Sequence, residues 1–187
     1  MIFKKIQTID PDVVESWEKK IFLSFDLDWC HDEVLENLLN FLDLKDINST
    51  IFVTHNTEFL ERLRKDNKIE LGIHPNFNPL LNGDFQYGKN IDEVMKYYME
   101  IVPEAISVRS HSLTQGGQFI NTFEKNGIKY ECNSLINPNG GTVKPYKFSN
   151  KLIKVPHIFE DDVRDWYDEE FNLLKYLKYN GIRVFDF

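Results

Sequence analysis

The sequence predicts one α/β domain built on a mostly parallel sheet. Two observations carry that prediction. Short apolar runs alternate with amphipathic stretches from Ile21 onward, and a helix-to-glycine-to-strand phrase occurs twice, from Phe123 through Gly127 to Tyr130 and from Leu177 through Gly181 to Val184. A chain of 187 residues that is 42% hydrophobic suffices for one buried core and falls short of two ordinary domains.

Residues 1–20 read as an N-terminal arm or short helix, with Asp10-Pro11 followed by Val13, Val14 and Trp17 on an apolar side. The domain proper spans 21–187. Its strand candidates are Ile21 to Phe25, Thr50 to Val53, Glu70 to Ile73, Ala105 to Val108, Ile128 to Tyr130, Leu152 to Val155 and Ile182 to Phe185. Between them, Val34, Leu35, Leu38, Leu39 and Leu42 fall on one helical face. So do Phe59, Leu60 and Leu63, and then Ile91, Val94, Met95, Tyr98 and Val102. Asn90 with Glu93 has the spacing of a capping box, and Pro103 follows that helix. Gly127 and Gly181 are expected to take the left-handed conformation that ends a helix. Residues 76–89 and 133–150 fit neither pattern and read as long loops, which in a compact domain tend to shape a site.

Composition excludes several classes. A formal charge of -8 with interspersed signs offers no basic stripe for a phosphate backbone, so nucleic acid is not an expected partner. Cys30 and Cys132 form neither a CxxC pair nor a disulfide framework. Lys4 and Lys5 interrupt the apolar stretch a signal peptide requires, and no run of about eighteen apolar residues occurs that could span a membrane. A cytoplasmic, soluble protein is expected, with subunit association left open.

Chemistry gathers where strands end. Asp26 and Asp28 leave the first apolar strand at its carboxyl end, where parallel α/β folds place their sites. His74 follows the third strand, with Asn78 four residues on as a second possible ligand. Carboxylate and imidazole could share one borderline metal such as zinc. Arg109 and His111 follow the next strand, and His157 the sixth, with Glu160, Asp161 and Asp162 just beyond. Each has a bland reading: Arg109 as a structural ion pair, either histidine as a hydrogen-bonded loop residue, the acidic run as a solvated helix start. Their coincidence at four strand ends favours a site. His55 ranks below these, and His31 reads as structural or supporting. Trp29, Phe77, Tyr146, Phe159 and Trp166 suit sugar stacking, although core packing is the better prior for most of them. Trp29 and Phe77, with His111, are the substrate-binding candidates.

In that order the motifs resemble the polysaccharide deacetylase family, the NodB homology domain, over most of the chain. The resemblance implies an irregular (β/α)7 barrel. Ser24-Phe-Asp-Leu-Asp28 resembles the first family motif, which implies Asp26 as general base and Asp28 as metal ligand. His74-Pro-Asn-Phe-Asn78 resembles the second, with Asn78 where the family has a histidine. The third protein ligand is therefore Asn78, His111 or a water. Val108-Arg-Ser-His111 keeps the arginine of the third motif without its proline, and Arg109 would hold Asp26 ionised. Val155-Pro-His157 matches the last motif. The wording of residues 74–79 and 108–113 is similar to the WbmS-like branch, associated with lipopolysaccharide O-antigen biosynthesis. Relatives often continue past the last strand, so the native chain is expected to extend beyond Phe187.

The resemblance implies a metal-dependent amide hydrolase that removes an N-acyl group, with acetyl first in line, from a sugar, sugar nucleotide or lipid-linked glycan. One divalent metal is implied, zinc before cobalt, manganese or nickel. Asp26 would take a proton from water and a protonated His157 would donate to the leaving amine. Two rivals stand beside it. An apolar strand followed by Asp-X-Asp also opens the haloacid-dehalogenase-like phosphatases, which need Mg²⁺ and a placed lysine and leave the histidines idle. The departures at Asn78 and after Arg109 also suit a non-catalytic carbohydrate-binding barrel.

Overall fold

Nine strands form one sheet in the computed structural model, which describes residues 2–149, 151–166 and 172–187. In chain order they are β1 Phe22–Asp26, β2 Ser49–Val53, β3 Ile69–Ile73, β4 Ser107–Val108, β5 Tyr130–Glu131, β6 Tyr146–Lys147, β7 Ile153–Lys154, β8 Phe159–Glu160 and β9 Val184–Asp186. Their order across the sheet is β6-β7-β5-β4-β3-β2-β1-β9-β8. Every pairing is parallel except β6 with β7. All seven expected strands are in it. Two more were not expected: β6 lies inside the stretch read as a loop, and β8 in the acidic run after His157. The sheet curls into a half-barrel whose ends are β6 and β8, the form in which the barrel-like fold is realised.

Strands β2 and β3 are buried along their whole length, which explains their lack of polar alternation. The helix Asp32–Lys45 covers them with Leu35, Leu39 and Leu42, spaced four and three residues apart on one face. Each such side chain contributes about 1.5–3 kcal/mol on full burial. Val34, expected on that face, points outward at 58% exposure. The helix Ile91–Ile101 starts as its sequence predicts, with Asn90 Oδ1 accepting from the Glu93 amide at 2.9 Å. The return bond shifts by one residue, since Glu93 Oε2 accepts from the Lys89 amide.

The N-terminal arm packs differently from its reading. Ile6, Ile9 and Trp17 are buried, whereas Val13 and Val14 face outward. Buried Glu70 on β3 holds the arm in place by accepting from the Gln7 amide and the Thr50 hydroxyl. The two glycine phrases also diverge. Gly127 adopts the expected left-handed φ of +80°. Gly181 is needed for space: a Cβ there would lie 2.5 Å from the Tyr179 ring and 2.6 Å from the Val143 carbonyl oxygen.

Candidate metal and catalytic site

Register places the reactive residues along one edge. Asp26 pairs with Phe52, Val53 with Ile73, and Ile73 with Val108, so the residues just after β1, β3 and β4 are neighbours at the carboxyl ends of their strands. His74 donates its amide to the Val53 carbonyl and Arg109 donates its amide to the Ile73 carbonyl, which carries the ladder one residue into the site.

Asp28, His74 and His111 meet there. His74 Nε2 lies 3.3 Å from Asp28 Oδ1 and 3.3 Å from His111 Nδ1, and His111 Nδ1 lies 3.1 Å from Asp28 Oδ1. Ligands bound at about 2.0–2.1 Å in a tetrahedron sit about 3.3–3.4 Å apart. Two imidazoles and one carboxylate at this spacing therefore fit a divalent metal, with the fourth position open to water. The Asp28 carboxyl is held well below the usual range by its hydrogen bonds with His111 and His74, so it is anionic. Burial pushes the His74 imidazole down, which keeps it neutral, as a ligand must be. Hydrogen bonding to Asp28 raises His111.

Backbone strain marks the same place. Six non-glycine residues among those described have positive φ; one of them, Asp28, belongs to this trio, and three others, Trp29, Ser112 and Leu113, lie next to its members in the chain. Such conformations cost about 1–3 kcal/mol each and persist where surrounding structure enforces them. Asn78, considered as a ligand, donates its amide Nδ2 to Ser112 Oγ at 3.0 Å, bracing the turn that carries His111. The imidazole that does approach Asp28 and His74 is that of His111, from the next strand end.

Asp26 lies beside the trio. His74 Nδ1 is 3.3 Å from Asp26 Oδ2, and Arg109 Nη1 donates to Asp26 Oδ1 at 3.0 Å. Arg109 is fully buried, with its guanidinium 4.5 Å over the Phe52 ring, and it also binds Asp186, Ser24 Oγ and the Cys132 carbonyl. Burial pushes the Asp26 carboxyl up to about 7 although Arg109 pulls it down. That differs from the expectation of a carboxylate held firmly ionised, and it suits a base working near neutrality.

Asp186 and Ser24 escaped the sequence reading. They are register partners on β9 and β1, and Ser24 Oγ donates to Asp186 Oδ1 at 3.0 Å. The signal available was a carboxylate inside the apolar run Val184-Phe-Asp-Phe187. Asp186 also approaches His157 and Glu160, one ligand atom of each lying within 4.8 Å of the others. His157 was expected as a protonated donor. It is fully buried, burial pushes it well below its usual value, and its Nε2 lies 3.0 Å from Glu160 Oε2. Burial thus favours the neutral ring, bonded to Glu160.

The aromatic candidates separate. Trp29 is 38% exposed and its ring lies 5.3 Å from that of His111 in a T-shaped pair, beside the trio. Phe77 is fully buried against Phe119 at 4.7 Å and is a core ring, a correction to its reading as a sugar contact. Phe159 is buried, Tyr146 is exposed on β6, and the Trp166 side chain lies outside the described residues. Thr54 and His55 bond each other at 2.8 Å, and His31 precedes the helix Asp32–Lys45.

This geometry defines an α/β protein whose carboxylates and imidazoles gather at one edge of the sheet, and comparison supplies the family. The WbmS-like polysaccharide deacetylase family model matches residues 23–187, and the chain belongs to that family. A structure from Bordetella bronchiseptica, given as a candidate polysaccharide deacetylase involved in O-antigen biosynthesis, is 38% identical. It superposes with a TM-score of 0.92 over 99% of this chain and 77% of its own. Two more distant structures share the fold alone. A polysaccharide deacetylase candidate from Mycobacterium smegmatis has 13% identity and a TM-score of 0.51, over 89% of this chain and 76% of its own. A 4-alpha-glucanotransferase from Thermococcus litoralis has 11% identity and a TM-score of 0.55, over 89% and 32%. No curated protein matches the sequence. No helix among the described residues is long and apolar enough to cross a membrane.

Proposed function

We propose that this chain hydrolyses the N-acetyl group of a sugar used in O-antigen assembly. The observation that carries the reading is the placement of Asp26, bonded to Arg109, directly beside the Asp28, His74 and His111 trio. A divalent metal bound by that trio, zinc first among candidates, would polarise the acyl carbonyl and lower the pKa of water. Asp26 takes the proton from the attacking water, and its contact with His74 Nδ1 also orients that imidazole toward Asp28. Arg109 fixes the base in place and limits how far burial neutralises it. Trp29 offers a ring face for the sugar.

A cytoplasmic location would make nucleotide-linked or lipid-linked sugars the accessible substrates. Acetate release is the test, using metal-loaded protein on N-acetylated sugar nucleotides, lipid-linked N-acetyl sugars and secreted polymers. Release from the first two supports the reading, and activity confined to secreted polymers contradicts the substrate class. The phosphatase alternative has little to stand on, since the ion-pair partners of Asp26 and Asp28 among the described residues are Arg109, His74 and His111, with no lysine.

A further inference from the structure

Amide hydrolysis needs a donor for the leaving nitrogen as well as a base, and the deacetylase reading leaves that role to be filled. We propose that Glu160 is the proton donor and that His157 is a positioning residue behind it. The assignment rests on the proposed function and changes which side chain meets the substrate.

Accessibility separates the two. The His157 side chain is fully enclosed, whereas that of Glu160 keeps 17% of its surface exposed. A group that passes a proton to a bound amine must reach it within hydrogen-bond distance, which favours the partly exposed carboxyl over the enclosed ring.

Position along the sheet edge agrees. Glu160 ends β8 in register with Asp186, which is in register with Ser24 on β1. The Glu160 and Asp186 carboxyls approach within 4.8 Å, and Asp186 shares Arg109 Nη1 with Asp26. Asp186 and the Nη1 it shares with Asp26 thus link the donor to the base. Burial raises the Glu160 carboxyl above its ordinary value, so the acid form is favoured more than on a surface glutamate. His157, neutral and enclosed, can donate Nε2–H to Oε2, and the Glu160 carboxyl also bonds the Asp162 side chain.

The step balances without a further reactant. Asp26 accepts one proton as water adds to the acyl carbon. As the tetrahedral adduct collapses, the C–N bond breaks, its electron pair stays on nitrogen, and Glu160 delivers its proton there. Acetate and the free amine leave, and exchange with solvent returns Asp26 and Glu160 to their starting forms.

Leaving-group dependence tests this, because an amine must be protonated to depart and a nitrophenolate need not be. Acetate release by metal-loaded wild type, E160Q and H157Q is measured on a panel of N-acetylated sugars and on 4-nitrophenyl acetate. E160Q is expected to lose about 100-fold or more on the amide, within the range for a general acid, and to stay within about threefold on the ester with its metal content unchanged. H157Q, which keeps an N–H donor, is expected to fall less on the amide than E160Q. If E160Q does not fold by circular dichroism, E160D, which draws the acid back, carries the same comparison. Equal loss on amide and ester, no loss on either, or a deeper amide loss in H157Q than in E160Q overturns the assignment. A wild type that releases acetate from none of the sugars overturns the deacetylase reading itself.

Discussion

Replacing Arg109 with methionine removes the one guanidinium that compensates two buried carboxylates. Arg109 is fully buried, and it binds Asp26, Asp186, Ser24 and the Cys132 carbonyl. Removing one partner of a buried ion pair costs about 3–5 kcal/mol, because the remaining charge stays desolvated. For a domain of this size each kcal/mol shifts Tm by about 2–4 °C, so R109M should melt roughly 6–20 °C lower near neutral pH. The sign of the pH dependence follows from linkage. Burial already pushes Asp26 up to about 7 and Asp186 well above the ordinary carboxylate value with Arg109 present. Without it both rise further. A carboxyl whose folded pKa exceeds its unfolded one favours the fold below the unfolded pKa, and that contribution is lost as pH rises through the folded value. The Tm deficit of R109M against wild type should therefore be larger near pH 8 than near pH 5. Scanning calorimetry of both proteins at the two pH values reads it directly. A deficit that is flat with pH, or under about 2 °C throughout, would refute the account of Arg109 as the compensating charge.

Three other perturbations bear on the site. H111A should abolish stoichiometric metal binding, while N78A, which removes only the brace to Ser112, should weaken it less; metal analysis after gel filtration compares them. D26N should lose acetate release and still hold metal at saturating concentration, with affinity lowered up to about 10- to 100-fold through the lost contact to His74. W29A should raise KM for the sugar by about 2- to 10-fold with kcat little changed, the loss of one stacking ring, as steady-state kinetics would show.

Much of this arrangement was legible from residue order because parallel strands bring their carboxyl ends to one edge. Asp26, Asp28, His74 and Arg109 each follow an apolar run, and register then makes them neighbours. The meeting of His111 with Asp28 and His74 was one of three alternatives the motifs left open, beside Asn78 and a water. It depends on β4 lying next to β3, and on the left-handed turn at Ser112 and Leu113 that brings the imidazole back toward Asp28. Phe77 misled because an aromatic beside a site histidine looks the same whether it faces solvent or Phe119. Asp186 and Ser24 were hidden by their surroundings, since buried polar groups that satisfy one another leave no periodicity behind. Strand β8 is two residues long and acidic at its end, too short for any pattern to mark.

The central claim is that the metal sits between Asp28, His74 and His111. Anomalous diffraction from crystals grown with Zn²⁺ or Mn²⁺ tests it most directly. The account predicts one strong peak bonded to Asp28 Oδ1, His74 Nε2 and His111 Nδ1, with Asp26 adjacent and not coordinating. A peak held instead by His157, Glu160 and Asp186, with the trio empty, would contradict it.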